Sequence, residues 1–145
     1  MPNTVLDFKS NGLGVAIGKA SEENKLEIAM DVKLTGKLEQ ETLKTPTLQN
    51  GWVNFEQDFA STGYFKDTCG VVHLTGMIKS GTTTADTTIF TLDTNYRPSS
   101  NERFYTVSNN DVCVIDILST GDIVIKYGAN SNWITLSGIS FRVGG

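Results

Sequence analysis

The sequence predicts an all-β protein in two parts: a β-stranded stem over residues 1–50 and a jelly-roll-like β-sandwich head over residues 51–145. Three observations carry this expectation. Residues 26–38 alternate, with Leu26, Ile28, Met30, Val32, Leu34 and Leu38 on one parity and Glu27, Asp31, Lys33, Thr35 and Lys37 on the other. Beyond Gly51, strand-like runs recur with turn signals at intervals of ~10 residues, the spacing of sandwich folds. Composition agrees: 39% apolar and 19% charged residues, rich in Gly, Thr, Ser and Asn, suit short strands joined by tight turns.

Within residues 1–50, Val5, Leu6 and Phe8 lead to Asn11-Gly12, a hairpin signal because both turn positions favour positive φ. Leu13, Val15 and Ile17 follow, alternating with Gly and Ala, and residues 20–25 make a polar turn into the long strand. A two-residue period places its apolar set on a single face. Thirteen residues at about 3.3 Å each would reach roughly 43 Å, far beyond the usual strand of about 5–6 residues. Phe8 is the only aromatic before residue 51, so the chain has little of its own with which to cover that edge. Copies of the same strand from other chains are expected to cover it. Residues 39–50 thin to isolated leucines and Pro46 and read as a narrow connector.

The head begins with Trp52, Phe55, Phe59, Tyr64 and Phe65. Val71–Ile78 reads as a single strand, followed by a turn at residues 80–82 and a strand at 87–92. Residues 96–101 form a loop, and 103–107 a strand that turns at Asn109-Asn110. Residues 112–117 are apolar on both faces, as in a central strand. Residues 120–122 turn into the alternating run 123–127. The last strand changes parity at Gly138, from Ile134 and Leu136 to Ile139, Phe141 and Val143, which predicts a bulge there. Some seven or eight strands result.

A net charge of −4 without clustered Lys or Arg argues against nucleic acid as a partner. No apolar run approaches the ~20 residues of a membrane span, so no membrane insertion is expected. The N-terminus lacks a basic region followed by an apolar core, so synthesis in the cytoplasm is expected.

Several residue types invite sharper readings. His73 is the only histidine and reads as a strand residue beside Val72 and Leu74. Cys69 and Cys113 pair only if their Cα atoms lie within about 7 Å; Cys113 is more simply a small core residue. Asp111, Asp116 and Asp122 match no compact calcium loop and suit turns and surface, so neither metal nor cofactor is expected. Gly36-Lys37 lacks the rest of a phosphate loop. Trp52 follows the connector and reads as a lock between head and stem. Trp133 and Asn132 close the polar loop 128–132, and Tyr96, Arg97 and Asn101 form a second polar-aromatic loop. These five are the candidate saccharide contacts, since an aromatic face stacks on a sugar ring while polar groups bind its hydroxyls.

A family resemblance adds to this reading. Gly51-Trp52, Tyr64, Lys66-Asp67, residues 70–76, Phe90-Thr91-Leu92, Tyr96-Arg97-Pro98, residues 114–117 with Gly121, and residues 133–141 resemble the head domain of phage tail-fibre and baseplate receptor-binding proteins. The resemblance covers residues 51–145 and rests on spaced pieces rather than a catalytic signature. It implies a homotrimeric head on an intertwined stem, carried on the virion beside other tail or baseplate proteins. It also implies binding to a host-surface glycan or teichoic acid rather than catalysis. A purely structural fibre or decoration protein is the main rival, and a polysaccharide-degrading tail enzyme, which needs a spaced carboxylate pair, a third. The chain is short for a full fibre and shows no evident virion-docking module, so a fragment or small accessory fibre is expected.

Overall fold

The structure, a computed structural model, describes residues 39–144. The proposed stem residues Leu26, Ile28, Met30, Val32, Leu34 and Leu38 lie outside the described residues. What is described is all-β, with a single 3₁₀ turn at Thr94–Tyr96. Its strands are β1 (Val53–Asn54), β2 (Gly63–Lys66), β3 (Val71–Thr75), β4 (Met77–Lys79) and β5 (Thr88–Thr91). They continue with β6 (Glu102–Ser108), β7 (Asp111–Ile117), β8 (Asp122–Tyr127), β9 (Ile134–Thr135) and β10 (Ser140–Arg142). Seven form one sheet in the order β1-β4-β9-β6-β7-β8-β5, and three form another, β10-β3-β2.

Ten strands stand where seven or eight were expected, because two runs that read as continuous each change sheet. The first breaks at Gly76, between β3 in the small sheet and β4 in the large one; the second breaks over residues 136–139, between β9 and β10. The two corners hold each other. Leu136 N donates to Gly76 O (2.8 Å), Gly76 N donates to Ser137 Oγ (2.9 Å), and Leu74 N donates to Ile139 O (2.9 Å). Corners of this kind let two sheets fold over one core. Gly76 has φ +103°, and a Cβ there would sit 2.5 Å from Thr62 Cα, so the corner requires glycine.

The core joins both sheets: Val72 and Leu74 from the small one, and Ile78, Phe90, Cys113, Ile115, Ile117, Ile123, Ile125 and Ile134 from the large one, are buried together. Trp52 also belongs to it, packed so closely over Gly81 that a Cβ there would lie 2.0 Å from the indole. β7 is an interior strand, as its two-sided apolar pattern predicts. Asn109 (φ 47°) and Asn110 (φ 69°) join it to β6 in a two-residue hairpin loop, the left-handed pair that a type I′ turn needs.

Candidate functional site

Residues 39–50, which read as a connector, lie along the head. Lys44 N donates to Tyr64 O (2.8 Å) and Tyr64 N to Lys44 O (2.9 Å), while Gln49 N donates to Ile89 O (2.8 Å). The segment is thereby tied to β2 at one end and to the edge strand β5 at the other. Pro46 between the ties keeps the chain extended and leaves that stretch without one backbone donor. Beneath it opens a cleft of about 390 Å³, lined by Lys44, Thr45, Thr47, Gln49, Thr91 and Asp93, with Tyr64 also contributing.

The polar groups of this cleft are held in place. Lys44 Nζ meets Asp93 Oδ2 at 2.9 Å and stands 5.0 Å from the centre of the Tyr96 ring. Lys66 Nζ approaches the same ring at 5.1 Å and donates to Asn95 O (3.1 Å). Tyr96 Oη donates to Glu41 Oε2 (2.7 Å), which also accepts from Lys66 N (3.2 Å). At the other end, Gln49 Nε2 donates to Thr91 Oγ1 (3.2 Å), and Thr91 Oγ1 donates to Asp122 Oδ1 (2.6 Å).

These contacts fix the charges. The hydrogen bond from Lys44 lowers the pKa of Asp93, and Asp93 raises that of Lys44. The Tyr96 hydroxyl lowers Glu41; burial, then Glu41, raises Tyr96; burial raises Tyr64. The Thr91 and Thr120 hydroxyls lower Asp122. All these shifts keep carboxylates ionised and tyrosines protonated at neutral pH. The cleft therefore presents a fixed array of donors and acceptors.

The structure disperses the five predicted contacts. Tyr96 is buried (6% exposed) and supports the cleft from below rather than offering a face to solvent. Arg97 is half-buried, its Nε donating to Leu92 O (3.0 Å). Asn101 Oδ1 accepts from Ser119 N (2.9 Å), beside a second hollow of about 320 Å³ at Glu102, Arg103 and Asp116. Asn132 donates to Asn109 Oδ1 (3.1 Å), and the half-buried Trp133 accepts at its carbonyl from Asn109 N (3.1 Å) and Ser108 Oγ (2.9 Å). Asn101 and Ser108 bracket β6, a separation of roughly 20 Å at about 3.3 Å per residue. The two loops thus face different ends of the sheet.

Lys44, Gln49, Thr91 and Asp93 went unread because nothing in the local sequence reports a pairing across 49 residues, as between Lys44 and Asp93. His73 pairs with Asp67 (2.9 Å) and stacks on Phe65, while Asp67 Oδ1 accepts from the backbone of Cys69 and Val71. This group closes the turn into β3. Cys69 is exposed, Cys113 is buried, and both are free. Among the described residues no three His, Cys, Asp or Glu side chains converge on a metal position, and no helix is long and apolar enough to cross a membrane.

No protein-family profile matches the sequence, and no curated protein does. Among solved structures the fold resembles that of a phage receptor-binding protein, as the spaced residues of 51–145 led us to expect. That structure is the receptor binding protein (gp15) of Listeria phage PSA, with a TM-score of 0.58 and 21% identity. The likeness covers 72% of this chain and 66% of that one, and at this identity it is a likeness of fold.

Proposed function

We propose that this chain is a phage adsorption protein, carried on the virion at a tail fibre or baseplate, that binds a host-surface saccharide or cell-wall polymer without cleaving it. In this reading residues 51–145 are a jelly-roll-like head on a homotrimeric stem of residues 1–50, and Lys44–Gln49 completes the binding cleft. The observation that carries the reading is the fold likeness to a phage receptor-binding protein. The cleft supports the ligand class: hydroxyls, an amide and a fixed Lys44–Asp93 pair suit a hydroxyl-rich, sparsely apolar ligand.

The test is binding of the full chain to an array of glycans and teichoic acids. Saturable binding is expected, weakened about tenfold by Asp93→Ala, since losing one charged hydrogen-bond partner costs about 1.5 kcal/mol. No binding at high surface density would overturn the reading.

A further inference from the structure

We infer that the Lys44–Asp93 pair sets the specificity of the cleft: it takes two adjacent hydroxyls of an uncharged sugar ring and passes over the phosphates of a cell-wall polymer. The inference rests on the adsorption reading proposed above and narrows its ligand class. Lys44 Nζ and Asp93 Oδ2 stand 2.9 Å apart, and the two side chains are 43% and 60% exposed. Neither group is used up by the other. An ammonium has three donors and a carboxylate about four acceptor sites. Among the described residues Lys44 Nζ makes one hydrogen bond, and Lys44 and the Tyr64 hydroxyl are the groups that approach the Asp93 carboxylate as donors. A spare donor therefore lies beside a spare acceptor.

That spacing matches a diol. The oxygens of gauche hydroxyls on neighbouring ring carbons lie about 2.9 Å apart, close to one hydrogen-bond length. One can accept from Lys44 while the other donates to Asp93, because a hydroxyl does both. Thr45, Thr47 and Gln49 along the cleft wall supply donors and acceptors for the rest of the ring. Tyr64 and Tyr96 are 3% and 6% exposed, so neither offers a face for stacking. Recognition here runs through hydroxyls.

A phosphodiester fits the same pair badly. Its free oxygens accept hydrogen bonds and donate none, so Asp93 gains no partner from it. Brought to Lys44, its negative charge would also lie against the Asp93 carboxylate and be repelled. The surroundings do not offset this. The nearby cations Lys66 and Arg97 are balanced by Glu41 and Asp122, and neither cation lines the cleft. Lys66 Nζ donates to Asn95 O and Arg97 Nε to Leu92 O. A net charge of −4 on the chain disfavours a polyanion further. A teichoic acid would accordingly be held by its sugar substituents and not by its backbone.

The test uses the full chain and three sets of immobilised probes. The first is neutral polysaccharides whose rings carry adjacent free hydroxyls. The second is the same polymers after periodate oxidation and borohydride reduction, which opens the bond between hydroxyl-bearing carbons. The third is unsubstituted poly(glycerol phosphate). We expect binding within the first set, weakened at least tenfold in its oxidised counterpart and absent from poly(glycerol phosphate). It should hold between about 0.05 and 0.5 M salt, a range over which charge contacts are screened. Asp93→Ala, with circular dichroism unchanged, should shift preference toward poly(glycerol phosphate) in a salt-sensitive way, because Lys44 is then left without its carboxylate. A parent chain that binds poly(glycerol phosphate), or binds intact and oxidised polymers alike, would overturn this inference and leave the adsorption reading standing. A variant with the parent's preference between probes would overturn the role of the pair. Binding to none of the probes would overturn both readings.

Discussion

Cys113 and Asp116 sit three positions apart on β7 and face opposite sides of it, one into the core and one outward. Burial pushes the Cys113 thiol up to about 11, so hardly any thiolate exists at neutral pH. Cys69, by contrast, lies exposed. A disulfide reagent should therefore titrate one thiol per native chain and two in denaturant; two fast thiols in the native state would contradict the buried position. Asp116 is held below its usual range by Arg103, whose Nε and Nη2 donate to it at 2.7 and 2.9 Å. A carboxyl with a depressed folded pKa adds stability above its unfolded value of about 3.9, and that stability is lost as pH falls through the folded value. Asp116→Asn should lower the denaturation midpoint at pH 7, and the difference from the parent chain should shrink as pH falls below the unfolded carboxylate value of about 3.9. The effect is small, because the Arg103 side chain is 59% exposed and well screened. The surroundings of single residues were the hardest thing to read from sequence. Tyr96 among polar neighbours looks the same whether it offers its ring to a ligand or buries it on Glu41, and only the fold distinguishes the two.

Among elements, hairpins were legible and corners were not. Asn109-Asn110 carries its turn in its own chemistry, since two adjacent left-handed residues suit a two-residue loop. Alternation in residues 71–78 identified strand, but it persists across a change of sheet, while in residues 134–143 the change of parity at Gly138 read as a bulge within one strand. Val72 and Leu74 point to the same core from one sheet as Ile78 does from the other. The clue was glycine, and glycine alone does not separate a bulge from a corner. Gly76 and Gly138 show the difference: both have positive φ, but a Cβ meets backbone at 2.5 Å at Gly76 and nothing within 4 Å at Gly138. Gly138→Ala should cost about 1 kcal/mol, the strain of a left-handed residue. Gly76→Ala adds overpacking against backbone and should cost about 3 kcal/mol or more. Equal denaturant midpoints for the two variants would refute the corner as described. The polar cleft was the least legible element, since its wall comes from a stretch whose scattered leucines and proline carry no strand period.

At the scale of the whole molecule, the part read most firmly from sequence, the alternation of residues 26–38, is the part that gives the proposed attachment role its strength. A shallow polar cleft holds a sugar weakly, because each hydrogen bond formed replaces one to water and nets only about 0.5–1.5 kcal/mol. On the proposed trimeric stalk, three such clefts would convert later contacts into intramolecular ones, and avidity would then exceed single-site affinity by about 10²–10⁴. Assembly and single-site binding should consequently separate under one substitution. Val32 lies in the middle of the apolar parity, and Val32→Asp would place a carboxylate where the three strands are expected to meet, an expensive position for an unpaired charge. The variant should lose assembly mass by light scattering and bind a glycan-coated surface about 10²-fold more weakly, at the lower end of the avidity range. Its affinity for a free oligosaccharide in solution should be unchanged, because the cleft from Lys44 to Asp93 belongs to one head. A variant of unchanged mass would remove the stem. A variant that disassembled yet kept full surface binding would show that adsorption does not depend on three copies.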